Sequence, residues 1–270
     1  MKERVKTAIV LGILLILILL LSHMRWVMPV VVALLAFMGV YELLCVTGAK
    51  LSKLAVYISL GAAVLIPIIP IPHYVPIVTA LFVVAVVIFG YMMRQKDKLQ
   101  LRSTAAVTGL AVLISMLFKS FAELRSIDSG LVYMIAAILA SMITDTAAFF
   151  VGRTVGKHKL APKISPSKTV EGSIGGIICT SVLLVAIAAI YDAVAAQTVD
   201  YGKLLLWALP ATVIAQFGDL SMSVIKRIVG VKDFGNILPG HGGILDRMDS
   251  YLFVIPYTLI FVNYIGGFIG

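Results

Sequence analysis

Within 31 residues, from Asp219 to Asp249, the chain carries four acids (Asp219, Asp233, Asp246, Asp249), four bases (Lys226, Arg227, Lys232, Arg247) and the turn Pro239-Gly240-His241-Gly242-Gly243. Carboxylates suit hard divalent cations, ammonium and guanidinium groups suit phosphate, and clustered glycines let backbone N–H groups close on an anion. If the segment at Asp219 is helical, Asp219, Ser223 and Arg227 recur at i, i+4 and i+8 on one face, with Lys226 beside them. Asp246 and Asp249, three residues apart, share a face just after the glycine turn. Paired acids met by an acid from a separate segment can hold one or two cations. Mg2+ is favoured, because it takes one or two protein carboxylates and completes its shell with phosphate oxygens and water. The chain as a whole is 61% hydrophobic and only 13% charged. Such a concentration of charge implies a metal- and phosphate-handling site held at a membrane surface.

A second polar run, residues 153–172, sets Arg153, Lys157, Lys159, Lys163 and Lys168 among Gly156, Ser165, Thr169, Glu171 and Gly172. Its content suits phosphate contacts or lipid headgroups. Two tempting motifs fail on spacing. Gly152-Arg-Thr-Val-Gly156-Lys157 has three residues between its glycines where a P-loop needs four, and His158 stands where the Mg2+-binding Ser or Thr would be. Asp233-Phe234-Gly235 matches a protein-kinase tripeptide, with no glycine-rich or catalytic-loop motif to accompany it. His241 reads either as a proton shuttle or as a structural hydrogen-bonding residue. Glu42, Asp145 and Asp219 fall at the ends of apolar runs, where an ionised side chain faces a wet cavity or a partner. Asp145, eight residues before Arg153, has the stronger functional claim; Glu42 reads equally well as a carboxylate at headgroup level.

Apolar helices must position these groups. The chain has 270 residues and a mean hydropathy of +1.07, with apolar runs near the roughly 20 residues that a bilayer core requires. Spans are expected near 7–22, 27–46, 54–71, 75–93, 103–121, 129–151, 173–196, 203–219 and 251–268. The fold class is therefore all-α, a polytopic integral membrane protein of about nine transmembrane helices. The first run lacks a small-residue cleavage site and reads as a retained span. All but four of the 22 Lys and Arg fall on one side of this arrangement, the exceptions being Arg25, Lys119, Arg125 and Lys203. Positive charge stays on the cytoplasmic side, which puts the N-terminus inside, the C-terminus outside and both polar loops in the cytoplasm. Net charge of +9 fits that bias and anionic headgroups better than nucleic acid. Residues 1–101 read as a transmembrane scaffold. Residues 102–270 read as a catalytic region with cytoplasmic loops 153–172 and 219–250. Cys45 and Cys179, without metal-ligand spacing, read as small apolar residues.

The pattern Ser223-x-x-Lys226-Arg227-x4-Lys232-Asp233-x-Gly235-x2-Leu238-Pro239-Gly240-His241-Gly242-Gly243-x2-Asp246-Arg247-x-Asp249 resembles the hallmark motif of phosphatidate cytidylyltransferases, also called CDP-diacylglycerol synthases. Asp145-x3-Phe149-Phe150-x-Gly152-Arg153-x2-Gly156-Lys157 and Ser165-Pro166-x-Lys168-Thr169-x-Glu171-Gly172 are similar to a second region typical of that family. The resemblance is specific over residues 140–250 and only general elsewhere. It implies the reaction CTP + phosphatidate → CDP-diacylglycerol + pyrophosphate with Mg2+, and room for a second cation, at the cytoplasmic face of a bacterial inner membrane. Under it Asp219, Asp246, Asp249 and Asp145 are the metal ligands. Lys226, Arg227, Lys232 and Lys168 contact phosphates, with Ser165, Thr169, Arg153, Lys157, Glu171 and Arg247 around the substrates. Gly240, Gly242 and Gly243 cradle an anion, Ser223 orients a phosphate or an acid, and His241 stands nearby. The implied partners are CTP, phosphatidate and the bilayer, with no nucleic acid, and a homo-oligomer is compatible with the pattern. A CTP-dependent lipid kinase and an ion-coupled transporter are the rival readings; a transporter predicts broken helices at the midplane, whereas these charges gather at one face.

Overall fold

A computed structural model describes residues 2–47, 51–95, 104–195, 197–238 and 242–270. Along them run α1 (Lys2–Leu21), α2 (Val27–Thr47), α3 (Lys53–Ile68), α4 (Tyr74–Gln95), α5 (Thr104–Ser126) and α6 (Gly130–Val155). A hairpin of β1 (Lys159–Ala161) and β2 (Ser165–Thr169) follows, then α7 (Val170–Ala195), α8 (Tyr201–Val229), α9 (Leu245–Met248) and α10 (Tyr251–Tyr264). Helices α2, α4, α5, α6, α7 and α8 are each long and apolar enough to cross a membrane. The helices α3 and α10 and the Gly12–Leu21 part of α1 are apolar but shorter. Ile174, Ile178, Val182, Ile190 and Val194 form an exposed aliphatic stripe along α7. A stripe of this length would drive association in water, whereas hydrocarbon solvates it without cost. The chain is an integral membrane protein built of helices, with one small hairpin at an end of the bundle.

The core centres on α10, which is apolar on every side and packs against α4, α5, α6 and α8. Its Phe253 ring meets Phe82, Phe89 and Phe217 edge-on, with centroids 6.2, 5.6 and 5.6 Å away. Trp207 of α8 is fully buried, and its indole N–H donates to Thr258 of α10 at 3.1 Å. Helices α6 and α7 make the closest pair. A Cβ added at Gly172 would lie 2.6 Å from the Ala148 carbonyl oxygen, and one at Gly175 would lie 2.6 Å from Val151. Small residues let two backbones approach in this way, which holds the hairpin between α6 and α7 against both helices.

The expected span of 203–219 is extended by ten residues: α8 runs without interruption to Val229. Nothing from Asp219 to Val229 breaks a helix. It ends where Gly230 adopts φ 81°, a left-handed conformation that suits glycine, while Val231 N–H closes on the Lys226 carbonyl at 2.9 Å. At about 1.5 Å per residue α8 outreaches a bilayer core of about 30 Å, so Asp219 falls near the end of a core-length stretch and the last turns extend Ser223, Lys226 and Arg227 past it. The first polar run is shorter than expected, because α6 continues to Val155 and α7 begins at Val170. Between them lie antiparallel strands, paired Lys159↔Thr169 and Ala161↔Ser165, in place of an irregular loop. The final helix stops at Tyr264, before the expected 268, and Gly266 follows with φ 100°.

Contacts divide the bundle into two ends. At one, Arg125 Nε donates to Ser22 Oγ at 2.8 Å, Lys119 Nζ to the Ile69 carbonyl at 3.0 Å, and Val199 bridges Ile269. At the other, Lys168 pairs with Asp219, and Arg227 Nε donates to the Ile164 carbonyl at 3.1 Å. The two polar segments therefore share one end.

Candidate active site

Four carboxylates reach that end from three places: Asp145 from α6, Asp219 from α8, and Asp246 and Asp249 from the α9–α10 junction. Asp145 and Asp219 line both of two adjoining cavities. The first, about 440 Å3, is walled by Phe149, Arg153, Lys159, Lys168, Thr169 and Gln216, among others. The second, about 500 Å3, is walled by Lys226, Asp233, Asp246, Arg247 and Asp249. The cavities thus meet along a carboxylate wall, with bases on either side.

Asp246 is buried and fully engaged. Its Oδ1 accepts from Lys226 Nζ at 2.9 Å, and its Oδ2 accepts from Phe234 N–H at 2.8 Å and Gly243 N–H at 2.9 Å. Lys226 also lies 5.5 Å from the centroid of the Phe234 ring. A buried ion pair is tolerated when hydrogen bonds satisfy its remaining atoms, as here. Asp219 is paired with Lys168 of β2 and accepts from Ser223 Oγ at 3.4 Å, the i+4 contact expected on α8. Asp249 accepts its own neighbour's N–H, from Ser250, at 2.7 Å. Burial, then the charge of Asp219, holds the Asp249 carboxyl well above the usual carboxylate range, and Lys226 offsets this only in part.

The remaining bases divide. Arg153 and Arg247 line the cavities, whereas Lys157 and Lys232 are exposed and line neither. Arg227 donates to the Ile164 and Val231 carbonyls, at 3.1 and 3.4 Å, and so fastens the hairpin to the end of α8. Glu171 accepts from the backbone N–H groups of Lys157 and His158, at 3.0 and 3.2 Å, and meets His158 Nδ1 at 2.6 Å. It closes the base of the hairpin. Thr169 lines the first cavity, and its hydroxyl accepts from Gly172 N–H at 3.1 Å; Ser165 lies on β2 outside both cavities. Gly242 takes φ 86° and Gly243 donates to Asp246. Gly240 and His241 lie outside the described residues.

Three contributors lie outside the set of site residues expected from the sequence, although Lys159 and Glu42 stood out there as polar residues. Lys159 and Gln216 line the first cavity, and Gln216, one turn before Asp219, was legible as a polar residue inside an apolar run. Glu42 is the third. It is 2% exposed, and its two carboxylate oxygens accept the N–H groups of Ile244 and Leu245 at 2.9 and 3.0 Å. The first half of the chain thus holds the turn that presents Asp246.

Residues 2–265 match the model of the cytidylyltransferase family. The chain belongs to that family. The phosphatidate cytidylyltransferase of Bacillus subtilis is 46% identical over 179 residues, which are 66% of this chain and 65% of that protein. The phosphatidate cytidylyltransferase of Staphylococcus aureus (strain COL) is 37% identical over 266 residues, 95% of this chain and 96% of that protein. That of Staphylococcus epidermidis (strain ATCC 12228) is 35% identical over 260 residues, with the same coverage. Both cavities of this cytidylyltransferase-family chain lie wholly inside the matched stretch.

Proposed function

We propose that the chain is a phosphatidate cytidylyltransferase, transferring the cytidylyl group of CTP to phosphatidate and releasing pyrophosphate. The observation that carries this is the carboxylate wall, flanked by Lys168 and Lys226, at one end of an apolar bundle whose length matches the family model. A phosphate oxygen of the lipid attacks the α-phosphorus of CTP in line, and the bond to the pyrophosphate oxygen breaks as the new P–O bond forms. The nucleophile is already anionic near neutral pH, so no strong general base is needed. The barrier is the approach of two polyanions and the charge left on pyrophosphate, and fixed positive groups lower both. Lys168, Lys159, Arg153 and Arg247 face the cavities and neutralise phosphate charge. Lys226 and the backbone of Phe234 and Gly243 fix Asp246.

Mg2+ suits this donor set. Among the described residues no three acidic, His or Cys side chains converge to ligate one ion unaided. Mg2+ needs only one or two protein carboxylates beside phosphate and water, however, and Asp145 and Asp219 stand on the wall common to both cavities. Asp219, with Asp145 or Asp249 as a second carboxylate, would hold the ion, with Asp246 anchored beside them. When bound, Mg2+ neutralises charge on the phosphates and the departing pyrophosphate.

Purified protein in neutral detergent, given phosphatidate, α-labelled CTP and Mg2+, is expected to yield a labelled lipid and pyrophosphate, and EDTA should stop both. Release of CDP with a newly phosphorylated lipid would assign a CTP-dependent lipid kinase instead.

We also propose nine crossings, with the N-terminus and the site cytoplasmic at a bacterial inner membrane and the C-terminus outside. The basic residues and the two-ended contact pattern support this parity. In protein lacking Cys45 and Cys179, cysteines at Ser167 and Asn236 should react with an impermeant thiol reagent only from the cytoplasmic face. A cysteine at Ser126 should react only from outside. Labelling of the first two from opposite sides would break the parity.

A further inference from the structure

At the end of the bundle away from the active site, the α1–α2 turn, the end of α3 and the end of α5 enclose a cavity of about 400 Å3. Its polar wall includes Ser22, Arg25, Lys119, Glu123 and Arg125. Three bases thus face one acid. Lys119 is accounted for: it is 2% exposed, pairs with Glu123 at 2.8 Å and donates to the Ile69 carbonyl at 3.0 Å. The two arginines are not. Arg125 commits only its Nε, to Ser22 at 2.8 Å, and among the described residues its terminal amino groups have no acceptor. Arg25 stacks 5.6 Å from the centroid of the exposed Trp26 ring and has no acceptor among the described residues. The opposite wall is apolar and includes Met28, Pro29 and Ile68.

This gathering runs against the charge pattern of the chain. Only Arg25, Lys119, Arg125 and Lys203 fall on this side of the expected topology, and three of the four meet in this cavity. Lys203 has a local partner in Asp200 at 3.9 Å. A positive-inside bias leaves such a cluster on the far side unexplained, whereas a ligand that needs it does not. Two guanidinium groups with free N–H forks recognise phosphate oxygens in a bidentate manner. An exposed tryptophan beside them fits the headgroup depth of a bilayer.

We propose that this cavity binds a phosphate group, and its apolar wall points to one carried by an anionic phospholipid. Arg25 and Arg125 clasp the phosphate oxygens, Trp26 and the α2 and α3 walls receive the glycerol end, and Lys119 with Glu123 holds the floor. The site is separate from the catalytic cavities and requires nothing of the reaction proposed above.

The test uses delipidated full-length protein in neutral detergent, titrated with dioleoyl phosphatidylglycerol, dioleoyl phosphatidylcholine or inorganic phosphate, read by native mass spectrometry and thermal melting. Phosphatidylglycerol is expected to bind saturably, at least about tenfold tighter than phosphatidylcholine, and to raise Tm. Arg25→Gln and Arg125→Gln should each lower that affinity about tenfold, which is about 1.4 kcal/mol. Lys203→Gln should leave it unchanged. Arg25 is exposed and its side chain makes no hydrogen bond among the described residues, so its variant should fold whatever becomes of Arg125→Gln. Cytidylyl transfer assayed with phosphatidate as the sole anionic lipid, at saturating concentration, should match the parent in Arg25→Gln, which separates loss of this site from failure of the proposed reaction. Binding of inorganic phosphate that depends on the same arginines would keep the site and assign free phosphate as its source. Equal binding of the two lipids, or phosphatidylglycerol binding indifferent to both arginines, would overturn the proposal.

Discussion

Asp219→Asn and Asp246→Asn should each lose at least about 100-fold in kcat, or roughly 2.7 kcal/mol of transition-state stabilisation. The two losses have different physical origins. Asp219 stands on the wall common to both cavities, paired with Lys168. Removing its charge leaves Lys168 free to shift and takes a carboxylate from the proposed Mg2+ set, while the partly exposed site limits damage to the fold. Asp246 is nearly inaccessible and holds Lys226 and two backbone N–H groups. An asparagine there keeps one acceptor, turns an amide N–H2 toward a donor, and leaves Lys226 buried without its counter-charge. Breaking a buried pair in this way typically costs about 3–5 kcal/mol of stability. Asp246→Asn should therefore also melt earlier than Asp219→Asn. The check combines turnover with thermal melting. A variant that is folded at assay temperature and turns over near the parent rate removes its residue from the machinery.

The helices were legible because hydrocarbon imposes a simple rule on composition, and each expected span overlaps an observed helix. Boundaries were misjudged where polar residues continue a helix beyond the apolar zone. Hydropathy falls at Asp219, yet Asp219–Val229 has no reason to stop being helical until Gly230. The carboxylates and Lys226 stood out by type and spacing. The roles of Arg227 and Glu171 did not, because their partners are mostly backbone carbonyl and amide groups, which carry no side-chain signature. The hairpin itself was invisible: Ser165–Thr169 contains a proline and no apolar alternation, and its order comes from Arg227, Glu171 and the close α6–α7 contact. Glu42 was ambiguous for another reason. An acid at a span end reads equally as a headgroup contact, and its real partners are about 200 positions away in sequence.

Glu42→Gln is the sharper test of how the first half of the chain serves the site. Both Glu42 oxygens accept backbone N–H groups at the start of α9, and α9 carries Asp246. A glutamine can accept only one of them, and its amide N–H2 then faces the other donor. An unsatisfied buried donor costs about 1–3 kcal/mol. The turn is packed too closely to absorb this by sliding: a Cβ at Gly243 would lie 2.5 Å from the Glu42 carboxylate, and one at Gly235 would lie 2.7 Å away. Displacement of α9 moves Asp246 and, through Phe234 and Gly243, the loop around it. Glu42→Gln should therefore lower kcat about 10- to 100-fold and raise the Mg2+ concentration giving half-maximal rate. Gly243→Ala should do the same by pushing on the same carboxylate. Leu43→Ala provides the contrast. Leu43 is fully buried beside Glu42, so its truncation should destabilise the fold by about 2–5 kcal/mol. It touches no hydrogen bond of the turn and should lower Tm without moving the Mg2+ dependence. If Glu42→Gln lowers Tm and leaves the Mg2+ dependence at the parent value, Glu42 is a packing residue of α2 and does not position the site.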